Sequence, residues 1–256
     1  MVLILIGTLI GLGIAFFKYL FSWSAGFTNQ VIISVVILTI LIIVFKLFID
    51  QYKFKKSYLK YLPYLDNYEL EPYIEEAKKA MNDTKVTTYQ QIHRLNLSLG
   101  YAYQGEFQKA IDLLMKIYDH SKPMSELALI CVIQMTSYYL YLDDSKSAKK
   151  LEEVTGNLII NNETHPKYGL LIQINRLHAA LLAGNMERAK EYLENAENLQ
   201  KLQKIMNIEL KLLKVKYLFI TQQTQQAQTI LEELRTLKLP PIFRSQIDLL
   251  SEKESG

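Results

Sequence analysis

The side chains that could do chemistry are few and far apart. Histidine occurs at His93, His120, His165 and His178. No two lie three to five residues apart, so no helix face offers a metal ion two imidazoles, and no HExxH pattern exists. The sole cysteine, Cys131, sits in the apolar run LALICVIQM. A thiol there packs as a small hydrophobe instead of ionising to a nucleophile. Glu75-Glu76, Glu152-Glu153 and Glu232-Glu233 are adjacent carboxylates. Neighbours on a helix point about 100 degrees apart, so these pairs read as solvated faces and not as acid–base dyads. Phosphate-binding loops, GxSxG elbows and kinase signatures are all missing from the sequence. The expectation is a chain without enzymatic activity, using no cofactor and no metal. A net charge of +3 without a long Lys/Arg block argues against nucleic acid as partner. One cysteine excludes an intrachain disulfide and fits a reducing compartment.

The elements that would position a site fall into two compositional parts. Residues 1–50 carry only three charges, Lys18, Lys46 and Asp50. They predict a transmembrane helical hairpin, with spans at about residues 1–21 and 30–49 joined by SWSAGFTNQ, where Trp23 would sit at the interface. A cleaved secretory leader ending at Ser22-Trp23-Ser24 is the rival reading, but the positive N-terminal stretch of such leaders is lacking. Gly7 and Gly11 form a GxxxG spacing suited to membrane-helix packing, and so to self-association through these helices. Residues 51–66 read as a basic and aromatic juxtamembrane linker. Its Lys53, Lys55, Lys56 and Lys60 would face anionic lipid, each contributing on the order of 1 kcal/mol. Their excess over Lys18 predicts, by the positive-inside rule, that everything beyond the second span is cytoplasmic. The expected location is the cell membrane, crossed twice.

Residues 67–256 read as an all-α repeat domain. The stretches YAYQGEFQKAIDLL, YYLYLDDSKSAKKLE, ALLAGNMERAKEYL and LFITQQTQQAQTIL align on Ala110, Ala148, Ala189 and Ala227, spaced 38, 41 and 38 residues apart. Five residues before each alanine stands Gly105, Asp143, Gly184 or Gln222. Fifteen before stands Leu95, Ile133, Ile174 or Leu212. The unit is therefore helix, tight turn, helix, with a small residue where the second helix crosses the first. Prolines 63, 72, 123, 166 and 240–241 are expected at helix starts or between helices. Thr87 with Gln90 reads as a capping box, and Glu69–Asn82 and Pro241–Lys253 read as capping helices.

This unit resembles the tetratricopeptide repeat. Leu97, Ser98, Tyr101, Gly105, Phe107, Ala110 and Ile117 carry the match best, followed by Gly184, Met186, Ala189, Leu193 and Ala196. Asp143 and Gln222 depart from the turn glycine, Ser145 and Thr224 from the aromatic, and the period is longer than the family's 34 residues. The resemblance implies an α-solenoid of about four TPR-like hairpins, with first helices lining a concave face. It would place Asn96, Tyr103, Gln134, Tyr141, Asn175, His178 and Lys216 on that face. The implied function is a membrane-anchored cytoplasmic scaffold that binds a protein or peptide partner. An outward-facing envelope assembly factor, or a non-catalytic regulatory subunit of a membrane enzyme, is the alternative. The Ile-, Lys-, Asn- and Tyr-rich composition is that of an AT-rich bacterial genome.

Overall fold

The computed structural model describes residues 2–21, 24–199 and 204–252, with side chains except at 2–10, 17 and 204–207. Twelve α-helices and no strand occur among them. The chain divides into two units, Met1–Lys56 and Ser57–Gly256.

The first unit holds α1 (Val2–Phe21) and most of α2 (Ala25–Asp66). Ser24 opens α2, its Oγ accepting from the Phe27 amide at 3.2 Å. The hydroxyls of Thr28 and Thr39 donate to the carbonyls of Ser24 and Val35 at 2.9 and 2.8 Å. Such back-bonding satisfies polar groups inside an apolar helix without any outside partner. Ile33, Val36, Leu41 and Phe45 are exposed. Among the described residues, α2 is the one helix long and apolar enough to cross a bilayer. A Cβ built on Gly11 meets nothing within 4 Å among the described residues. The surroundings of Gly7, and Trp23 altogether, lie outside the described residues.

Residues 51–66, expected as a linker, continue α2 as helix. The second unit's core explains this. Tyr61 is fully buried with Tyr73, Ile74, Ala77 and Leu97, and Tyr58, Tyr64 and Leu65 pack beside it at helical spacing. Pro63 consequently lies inside a helix and not at a start, its missing N–H outweighed by that tyrosine packing. The second unit continues through α3 (Leu70–Asp83) and four helix pairs. These are α4 (Thr87–Tyr103) with α5 (Phe107–Tyr118), α6 (Glu126–Tyr141) with α7 (Ser145–Ile160), α8 (Gly169–Leu182) with α9 (Met186–Asn198), and α10 (Lys204–Ile220) with α11 (Thr224–Arg235). The last helix is α12 (Pro241–Glu252). Val86, not Thr87, is the N-cap of α4 and makes no side-chain cap bond, and Gln90 instead donates to the Met81 carbonyl at 3.3 Å.

The four turns share one geometry. Gly105, Asp143, Gly184 and Gln222 all have positive φ, at 85, 55, 67 and 61 degrees. Each amide bonds the carbonyl three residues back, and the next amide bonds five back, as in Gly184 to Leu181 (3.2 Å) and Asn185 to Ala180 (2.9 Å). This is the Schellman ending, which needs one left-handed residue. The residue after it also starts the next helix. Asp144 and Asn185 cap α7 and α9 by accepting from the amides of Ser147 and Arg188, whereas Glu106 and Gln223 make no side-chain cap bond. The alanines 110, 148, 189 and 227 are all buried where the paired helices meet.

The pairs do not join alike. α5 packs along α6, but the contact of α7 with α8 is slight: Leu158 and Ile159 share a cluster with Tyr168 and Ile172, and Glu152 lies 3.9 Å from Arg176. α12 packs on α10 and α11 and also reaches α4, where the Phe243 ring lies 6.2 Å from that of Tyr103.

Candidate binding site

Two places in the second unit concentrate polar chemistry. The first is a buried knot centred on Glu209 of α10. Tyr141 donates to its Oε1 at 2.9 Å, and Ser137 approaches the same oxygen at 3.4 Å. Lys216, two turns further along α10, stabilises the carboxylate, yet burial outweighs these aids and raises the Glu209 pKa above the ordinary range. The Tyr141 ring stacks on Phe107 at 5.1 Å and meets the His178 ring edge-on at 5.1 Å. Burial, with Lys216 adding to it, drives the His178 imidazole down to about 3, so it is neutral at pH 7. Burial pushes the Tyr103 hydroxyl far upward, and the nearby Tyr138 and Glu209 push it further.

Four of the residues expected on the concave face therefore meet here: Tyr103, Tyr141, His178 and Lys216. They converge as an internal network between helices, since Tyr103 and His178 are buried and Tyr141 is partly so. The other three stand elsewhere. Asn96 donates to Ile92 O of its own helix at 2.8 Å. Asn175 is buried and donates to Ile133 O at 2.8 Å, tying α8 to α6. Gln134 keeps its Oε1 buried with no hydrogen-bond partner among the described residues. Sequence reasoning missed Glu209. Its only signal is an acidic residue set between Ile208 and Leu210, seven before Lys216 and so on the same helix face.

The second place is open. Between α6, α7, α8 and α9 lies a cleft of about 530 Å³. Ile133, Leu140, Ile172 and Ala180 form apolar walls, and Lys149, Arg176 and Arg188 supply charge against the single carboxylate of Glu152. Arg176 is held by Glu163 at 2.5 Å and lies 3.9 Å from Glu152. Lys149 reaches Glu153 only at 3.9 Å, and Arg188 makes no ion pair among the described residues. The repeat spacing of 41 between flanking steps of 38 coincides with a longer α7, 16 residues against 12 in α5.

Chemistry of the reactive sort is sparse. No cluster of three or more His, Cys, Asp or Glu residues with metal-site geometry occurs among the described residues. Cys131 is buried, which pushes its thiol up to about 12. Of the juxtamembrane lysines, Lys53, Lys55 and Lys56 are exposed, while Lys60 pairs with Glu76 at 2.7 Å. No protein-family model, curated protein or solved structure matches the chain.

Proposed function

We propose that this chain is a non-enzymatic interaction scaffold held at a membrane by α2, with α1 as a second span, and that its helix pairs form a TPR-like solenoid presenting a peptide-binding cleft. The observation that carries the reading is the open, apolar-walled cleft between α7 and the α8–α9 pair. A packed repeat stack closes such gaps, because each pair must bury its apolar face on the next. The repeated Schellman turns and the buried alanine ladder support the repeat reading. The exposed apolar stretch of α2 supports the anchor, and the lysine excess after it supports a cytoplasmic domain. The burial of Tyr103 and His178 favours the cleft over the expected concave face as the binding surface. Alanine at those positions would hollow the core and report on folding, not on binding.

The test is photo-crosslinking in the native cell. A benzophenone amino acid replaces Ala183 in the cleft, or Val154, which is 75% exposed on α7 and does not line it. A discrete protein adduct from position 183 and none from 154 is the expected result. Equal adducts from both, or none from either, would remove the cleft from the proposal.

A further inference from the structure

The lining of the cleft selects among peptides. Its charged groups are three cations and one carboxylate. Arg176 is neutralised by its two glutamates and serves as wall, with its guanidinium 5.8 Å from the Tyr192 ring. Lys149 and Arg188 are exposed at the mouth, from α7 on one side and α9 on the other. Lys149 has only a long, same-helix contact to Glu153, a geometry that holds a solvated pair weakly. A ligand carboxylate placed between them would meet two cations and displace little. Deeper in, Ala179 and Ala180 near the end of α8 leave room beside Leu140 and Ile172 for an aliphatic side chain, and the exposed C-cap residue Ala183 stands at the rim. Asn185 Oδ1 accepts from the Arg188 amide, which leaves the side-chain NH2 of Asn185 to donate to a peptide carbonyl. An apolar recess, an amide donor and two flanking cations match a polypeptide better than a simple acyl chain, which has no use for the amide.

We infer that the cleft binds an acidic peptide segment in which an aliphatic anchor residue is flanked by Asp or Glu. This rests on the scaffold reading and narrows it. Lys149 and Arg188 grip the acidic flanks, and the alanine-lined recess takes the anchor.

The test uses the full chain in phosphatidylcholine nanodiscs, so that no anionic lipid competes for Lys53, Lys55 and Lys56. Three fluorescent twelve-residue peptide pools share Leu or Ile anchors and differ only in flanks of Asp/Glu, Ser/Gln or Lys/Arg, and dodecanoate serves as an amphiphile control. The acidic pool should bind at least tenfold more tightly than the basic pool. The double variant Lys149→Glu, Arg188→Glu should invert that order, and Ala183→Trp should abolish binding by blocking the recess at its rim. All three positions are exposed, so each variant should keep the wild-type melting curve. Should the double variant melt early, Arg188→Gln alone should still weaken the acidic pool about threefold or more. Equal binding of all pools, unmoved by charge reversal, would overturn the acidic preference and leave peptide binding standing. Absence of binding by every pool would overturn both readings. Charge-sensitive binding of dodecanoate without the acidic pool would make the cleft an amphiphile site and overturn the inference.

Discussion

Glu209 and His178 share one network, and their opposite pKa shifts change stability in acid in opposite directions. In the unfolded chain an imidazole titrates near 6.5, whereas in the fold His178 stays neutral down to about 3. Between those values the unfolded chain binds the extra proton, so this residue's contribution to stability is complete above about pH 6.5 and is lost on the way to pH 3. The Glu209 pKa is raised, so acid protonates it first in the fold and offsets part of that loss. Replacing His178 by Gln keeps a polar group beside Tyr141 and Lys216 but removes the titration. From pH 7 to pH 5 the variant should lose about 1–2 kcal/mol less stability than the wild type, measured by urea unfolding of the full chain in detergent. Parallel stability curves would show that His178 is not held neutral by its burial. The repeat resemblance grouped Tyr103, Tyr141, His178 and Lys216 with Asn96, Gln134 and Asn175, which stand elsewhere. It could not reveal Glu209, because an acidic residue on a helix reads as solvated until a partner 68 residues away covers it.

At the scale of elements, the turn residues carry a testable difference in conformational cost. Gly184 has φ at 67 degrees and open space where a Cβ would stand, so Gly184→Ala isolates the cost of a left-handed alanine, about 1 kcal/mol. The reverse change, Gln222→Gly, should stabilise by about 0.5–1 kcal/mol, since relief of the left-handed strain exceeds glycine's added freedom in the unfolded chain. Asp143→Gly should gain less, because Asp tolerates this conformation. Thermal unfolding of the three variants checks the order, and an unchanged Tm for Gly184→Ala would contradict it. These turns were legible by counting alone: an aspartate and a glutamine stand where glycine stands in their sister units. The end of α2 was less legible. Pro63 and the lysines disguised a tyrosine face whose burial only α3 and α4 make visible. The 41-residue step marks a longer α7, but a step length does not say which interface opens.

For the whole molecule, the proposal joins an apolar helix to a domain with a cleft and places that cleft on the cytoplasmic side. Composition revealed the apolar segments and the helical class, both of which depend on local sequence. The cleft depends on how helix pairs lean on one another, which no local pattern encodes. A cysteine probe tests the placement directly, because Cys131 is buried and silent to thiol reagents in the folded chain. Arg188→Cys puts one reactive thiol at the mouth of the cleft. The account predicts that the variant stays in the carbonate-washed membrane pellet, resists a membrane-impermeant maleimide in intact cells, and reacts with it in inside-out vesicles. Labelling in intact cells, or release of the chain by carbonate, would contradict a cytoplasmic scaffold held by a membrane-spanning helix.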